Sequence, residues 1–218
     1  MKRHIAAVAL LVCVLALPAA ARAQGRGMQF TVGGVGAQQT VQSHVDQVTD
    51  RFTGLLLGAE GSLVSDRFVV RLRYGEGRIN PKAGSSAAAR DVVEGEALFG
   101  LRAVPWLTLW VGPSARAYTT GDGDQRWLIW TGRATARGTL LPARMQTFVE
   151  VWGAFSGNVG TPPLKAGGRG AYGGLEARLG EASAWWGRLG YRIESPHAAG
   201  LRETVESLTL SLLYGLPQ

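Results

Sequence analysis

From about residue 28 onward the chain is built of runs in which every second residue is apolar and the residues between are Arg, Glu, Ser, Thr or Gly. Phe68, Val70, Leu72 and Tyr74 fall on one side of such a run, and Val69, Arg71, Arg73 and Gly75 on the other. A period of two is the geometry of a β-strand, whose successive Cβ atoms point to opposite faces. A sheet with one charged face and one greasy face needs two different surroundings. Alternation and turn residues together predict ten strands, near 28–38, 52–64, 67–79, 91–104, 106–119, 126–140, 144–158, 168–180, 184–195 and 203–215. The links alternate in length. Ser65-Asp66, Val104-Pro105, Leu141-Pro142-Ala143 and Glu181-Ala182-Ser183 read as tight turns. Gln39 to Arg51, Ile79 to Arg90, Thr120 to Gln125, Val159 to Ala166 and Ser195 to Arg202 read as five moderately long loops.

The first residues set the compartment. Lys2 and Arg3 precede an apolar run from Ile5 to Leu17, and Ala21-Arg22-Ala23 offers small residues for cleavage. This predicts a secretory signal peptide over 1–23 and one β-barrel domain over 24–218. Cys13, the single cysteine, lies in the signal, so no disulfide or cysteine-ligated metal is expected beyond it. Losing Lys2, Arg3 and Arg22 lowers the net charge from +7 to about +4, too mild and too evenly spread to suggest nucleic acid.

Projected in phase, Glu60, Arg71, Arg73, Glu94, Glu96, Arg102, Arg116, Arg133, Arg137, Glu150, Glu176, Arg178, Arg188, Arg192 and Glu194 share one surface. Leu55, Leu57, Leu72, Leu109, Val149, Leu189, Leu208, Leu210 and Leu212 are among those on the other. An Arg facing lipid near the midplane costs ~2–4 kcal/mol, and nine would exceed a domain's usual ~5–15 kcal/mol of stability. In a membrane the charges must therefore line the lumen. Aromatic residues of the apolar face cluster toward the strand ends, with Phe68, Phe99, Trp185 and Tyr214 toward the tight turns and Tyr74, Trp130, Phe155 and Tyr191 toward the loops. Two such girdles are what headgroup anchoring requires.

With these features the chain resembles the small bacterial outer-membrane β-barrel proteins, the broad group that includes OmpA-type transmembrane domains. The resemblance spans residues 28 to 218 and rests on pattern. It implies an all-β, up-and-down antiparallel transmembrane barrel of about ten strands in the outer membrane, with both termini periplasmic. It also implies outer-membrane lipid and the barrel-assembly machinery as partners. Such proteins usually end their last strand on an aromatic residue, whereas here Tyr214 is followed by Gly-Leu-Pro-Gln218.

Three functional readings follow. The preferred one is a charged, largely side-chain-filled lumen with a structural or surface-interaction role through the external loops. In it, Arg71 or Arg73 pairs with Glu94 or Glu96 on the next strand. The alternatives are a narrow, weakly anion-preferring pore and a soluble periplasmic or secreted ligand-binding barrel. Enzymatic chemistry is not expected. Omptin proteases also use ten strands, with an Asp pair and an Asp-His pair near the rim, but Glu194-Ser-Pro-His197 lacks an Asp two residues before its His. Ser195 and His197 have the spacing of outer-membrane lipid A deacylases, yet Pro196 between them argues against a paired strand. Gly121-Asp-Gly-Asp124 offers too few carboxylates for calcium. Gly167-Gly-Arg-Gly170 lacks the following residues of a phosphate loop and is read as rim flexibility. No cofactor or metal is expected.

Overall fold

The computed structural model describes residues 28–45, 48–83, 85, 87–120, 123–160, 163–181 and 183–215. The predicted signal peptide, with Cys13, lies outside them. The described residues form ten antiparallel strands: β1 (Met28–Val45), β2 (Val48–Ser65), β3 (Phe68–Pro81), β4 (Arg90–Val104), β5 (Leu107–Thr119), β6 (Asp124–Leu141), β7 (Met145–Val159), β8 (Leu164–Arg178), β9 (Trp185–Ala198) and β10 (Leu201–Gly215). Each pairs with its sequence neighbours, and β1 pairs with β10, so the sheet closes at ten strands with no free edge. Among the described residues no helix is long and apolar enough to cross a membrane.

The alternation sets which face looks where. Leu55, Leu57, Leu72, Val149, Val151, Leu189, Leu208, Leu210 and Leu212 are all exposed on the outer surface, Leu210 being 65% exposed. Phe68, Phe99, Trp106, Trp185 and Tyr214 are exposed toward one end of the barrel; Trp130, Phe155 and Tyr191 are exposed toward the other. Trp185 and Tyr214 meet edge to face with ring centroids 5.2 Å apart.

Two of the five expected long loops, Gln39 to Arg51 and Ser195 to Arg202, are mostly strand, and the other three are links inside the expected segments. Only residues 46–47 separate β1 from β2 and 199–200 separate β9 from β10, with 120–123 and 160–163 between two other pairs. The longest link at this end is 82–89. The segment Gln39 to Arg51 reads as loop because its outward residues turn polar at Gln38, Thr40, Gln42 and His44. Its inward residues Gln39, Val41 and Ser43 and the facing Phe52 stay buried, and the ladder runs on to Val45↔Val48. The hairpins thus continue beyond the apolar belt with their interior still packed.

Ser195, Pro196 and His197 are likewise within β9, paired with Arg169, Gly168 and Gly167 of β8, contrary to the expectation from Pro196. On the β10 side the register passes from Val205↔Glu194 to Arg202↔His197 with no partner for Ser195 or Pro196, and such a gap tolerates a residue without an N–H. At the opposite end, Ala143 in the link 142–144 has a φ of 57°, a left-handed conformation that strains a Cβ. Ala143→Gly is expected to raise unfolding stability by about 0.5–1 kcal/mol in a denaturant titration, with the barrel otherwise unchanged.

Candidate functional site

The inward phase of the strands brings the charged residues together in a network across the lumen. None of their paired side chains is more than a fifth exposed. Nearest the N- and C-terminal end, Glu176 of β8 accepts from Arg188 Nε at 2.6 Å, Arg137 Nη1 at 2.7 Å and Gln146 Nε2 at 2.6 Å. Arg188 also reaches Glu60 at 2.7 Å. Farther in, Glu150 pairs with Arg71 at 2.8 Å and Arg133 at 3.2 Å and accepts from Thr135 at 2.8 Å. Glu96 joins the same two arginines, at 3.4 Å and 2.9 Å. Toward the hairpin end, Arg116 bridges Glu94 at 3.0 Å and Glu194 at 2.7 Å, with Arg73 and Arg192 at 4.0 Å and 3.5 Å from the same two carboxylates.

The adjacent-strand pairs expected from sequence are present, but the shorter contacts of Arg71 run across the barrel to Glu150. Arg102 and Arg178 stand at the short-link end of β4 and β8. Arg178 donates to the backbone carbonyls of Ser183 and Glu181 at 2.7 Å and 3.2 Å. A buried charge is tolerable only when several partners replace its water, and most carboxylates here have two or more.

Aromatic rings complete the packing. Arg71 lies over Trp110 at 4.7 Å, Arg192 over Tyr172 at 5.0 Å, and Arg137 and Arg188 over Phe148 at 5.7 Å and 5.6 Å. Inward glycines make room for these rings. A Cβ at Gly100 would lie 2.5 Å from Trp110, one at Gly190 2.5 Å from Tyr172, and one at Gly170 2.3 Å from Trp152. Gly168 and Gly170 are therefore sockets within β8, beside an irregularity in its ladder with β7, where the sequence suggested rim flexibility.

Sequence reasoning missed what lies above the charges. Val41, Phe52, Leu56, Ile79, Val92, Tyr118, Trp127, Ile129, Val159 and Val205 are buried in one apolar cluster that fills the lumen at the hairpin end. Their signal was available: Phe52 and Leu56 share the phase of Glu60, Ile79 that of Arg73, and Trp127 and Ile129 that of Arg133. Beneath this plug are cavities of about 50 Å³, beside Arg73, Arg116 and Arg192, and about 30 Å³, beside Glu60, Arg137 and Arg188. Each holds a few waters at most. Between the plug and the short-link end, Val64, Val69, Leu98 and Trp110 form a second buried cluster.

His44 and His197 point outward, and among the described residues no group of three or more His, Cys, Asp or Glu side chains gathers to hold a metal. Gly121 and Asp122 lie outside the described residues, and Asp124 pairs with Arg126 at 2.8 Å.

No protein-family model matches the sequence, and no curated protein matches it. Among solved structures the chain is similar to Neisserial surface protein A, at 11% identity over 87% of this chain and 99% of that one, with a TM-score of 0.41. It is similar to the outer membrane protease OmpT from Escherichia coli at 8% identity over 87% and 96%, with a TM-score of 0.47. For the translocator domain of autotransporter NalP from Neisseria meningitidis the identity is 12% over 97% of each chain, with a TM-score of 0.44. What bears on function is the interior of the barrel, not these likenesses.

Proposed function

We propose that this chain spans an outer membrane as a sealed barrel, with a structural or surface-presenting role. The observation that carries the reading is inside-out polarity: Leu57 is 61% exposed on the outer face while Glu176 in the interior is 0% exposed. A barrel in water would bury its leucines and expose its glutamates. Outward apolar positions on successive turns of the ladder match an apolar band of ~25 Å between two aromatic girdles. An ion-paired layer below an apolar plug supports a filled lumen over a conducting one. What the molecule then offers to the outside is its hairpin ends and the link 82–89. Outer-membrane lipid is the proposed partner of the belt. The barrel-assembly machinery is the proposed partner in biogenesis, with outward-facing Tyr214 near the end of the last strand as the residue of the type it reads.

The test is membrane fractionation, followed by gel migration with and without boiling. The protein is expected in the outer-membrane fraction, with an unboiled band that migrates differently from the boiled one. Leu210→Arg is expected to lose ~2–4 kcal/mol of stability in a bilayer, because it presents a guanidinium to hydrocarbon. Recovery of a folded protein from the soluble periplasmic fraction, or a silent Leu210→Arg, would overturn the reading.

A further inference from the structure

Above the apolar belt the outer face changes character unevenly around the barrel. His197 on β9 stands opposite Arg202 on β10, and Arg202 stands opposite His44 on β1. Lys165 and Arg169 on β8 flank Gly167, the residue that faces His197. The series continues on β2 with Arg51, opposite Gln42. Lys82, just past β3, donates its backbone N–H to the Arg51 carbonyl at 2.8 Å. Those within strands share the outward phase, and Arg51, Lys82, Lys165, Arg169, His197 and Arg202 are exposed.

Outward acids on this side are few. Glu206 lies below Arg202 on β10, and Glu76 on β3 accepts a hydrogen bond from Tyr74 at 2.6 Å. Arg78 faces Asp91 in register and is not counted with the others. Across the barrel the charged outward residues described at this rim are Asp91, Asp124 and Arg126, the last two paired at 2.8 Å. Outward positive charge is therefore concentrated in an arc running from β8 through β10 and β1 to the end of β3, while Arg126 across the barrel is held by Asp124.

The height of Arg51 and Arg202 bears on what the arc meets. Arg51 lies two outward positions above Leu55, and Arg202 three above Leu208. At ~3.4 Å per residue and a tilt of ~40°, these guanidinium-bearing positions stand roughly 10–15 Å above the last leucine of the belt. From that height long Arg and Lys side chains reach back toward the headgroup layer, as basic side chains do at a membrane interface. We propose that this arc binds the phosphate groups of an anionic lipid in the leaflet at the hairpin end, a site that rests on the membrane reading above. Arginine forks match phosphate oxygens two at a time, and basic residues spread over neighbouring strands and over several residues of height match headgroups presented side by side.

The probe is a diphosphorylated glucosamine lipid in phosphatidylcholine nanodiscs containing the folded full-length mature protein, with retained lipid read by mass spectrometry after transfer to a neutral detergent. Wild type is expected to retain the phosphorylated lipid and not phosphatidylcholine. Arg51→Gln/Lys165→Gln/Arg169→Gln/Arg202→Gln is expected to retain at least tenfold less, Arg169→Gln/Arg202→Gln an intermediate amount, and Arg126→Gln as much as wild type. All changed side chains are exposed, and the unboiled gel band checks that each variant is folded; if the fourfold variant does not fold, the twofold variant decides. Equal retention by wild type and the arc variants overturns the proposal, as does displacement of the lipid by an equal concentration of inorganic phosphate. A wild-type barrel that inserts but shows no lipid preference sinks the arc alone, whereas one that stays folded in buffer and enters no nanodisc sinks the membrane reading itself.

Discussion

Glu176→Gln is expected to destabilise the barrel by about 3–5 kcal/mol, the cost of leaving buried charge without its partner. The carboxylate is fully buried and holds three donors at once: Arg137, Arg188 and Gln146. Neutralising it leaves Arg188 with Glu60, but removes the carboxylate that Arg137 reaches at 2.7 Å. The loss therefore falls mainly on Arg137. Arg137→Met in the Glu176→Gln background is expected to restore part of it, because a methionine of similar length packs against Phe148 without a charge to satisfy. A double-mutant cycle from denaturant unfolding in lipid reads the coupling, with an expected interaction of at least about 1 kcal/mol. Strict additivity would show that Arg137 and Glu176 are solvated independently and that the interior is open to water.

Much of this arrangement was legible in the chain. Leu208, Leu210 and Leu212 alternate with Thr209 and Ser211, so the two faces of β10 are plain in the sequence, and the same phase locates Arg133 and Glu150. Which charge meets which was not legible. Arg188 and Glu60 lie 128 residues apart, and Arg71 and Glu150 lie 79 apart. Their meeting depends on closure of β1 onto β10 and on the stagger of the ladder, which alternation does not encode. The plug was hidden for another reason. Ile79, Trp127 and Val205 are apolar residues in the phase that carries the charges, near strand ends where alternation does not tell an interior position from a loop. Once the hairpins are seen to extend past the belt, those ends are interior, and an interior without lipid or water selects apolar side chains. Glycine misled in the same way, since Gly170 reads as a flexible spot and is instead room for the Trp152 ring.

The plug also decides whether the barrel conducts. The wild-type protein is expected to show small or no conductance steps in planar bilayers, because Phe52, Ile79, Tyr118, Trp127 and Val205 are buried together at the hairpin end of the lumen. Phe52→Ala/Trp127→Ala removes two of the larger of these side chains and is expected to produce discrete steps. A ten-stranded wall has little spare diameter, so bulk inside it, not strand number, is what closes the path. Those steps should prefer anions weakly, since the ion-paired layer beneath contains Arg71, Arg73, Arg116, Arg133, Arg137, Arg188 and Arg192 against Glu60, Glu94, Glu96, Glu150, Glu176 and Glu194. The substitutions leave the outer leucines and the ladder intact, and an unboiled gel band of wild-type mobility verifies that the measured variant is folded. Removing buried aromatics costs about 3–5 kcal/mol each, so Phe52→Ala alone is the second variant to measure, with fewer and briefer openings expected. Stable channels in the wild type would mean that the apolar cluster parts readily and the lumen is a pore. A folded double variant that remains silent would place the seal in the arginine–glutamate layer instead of the apolar cluster.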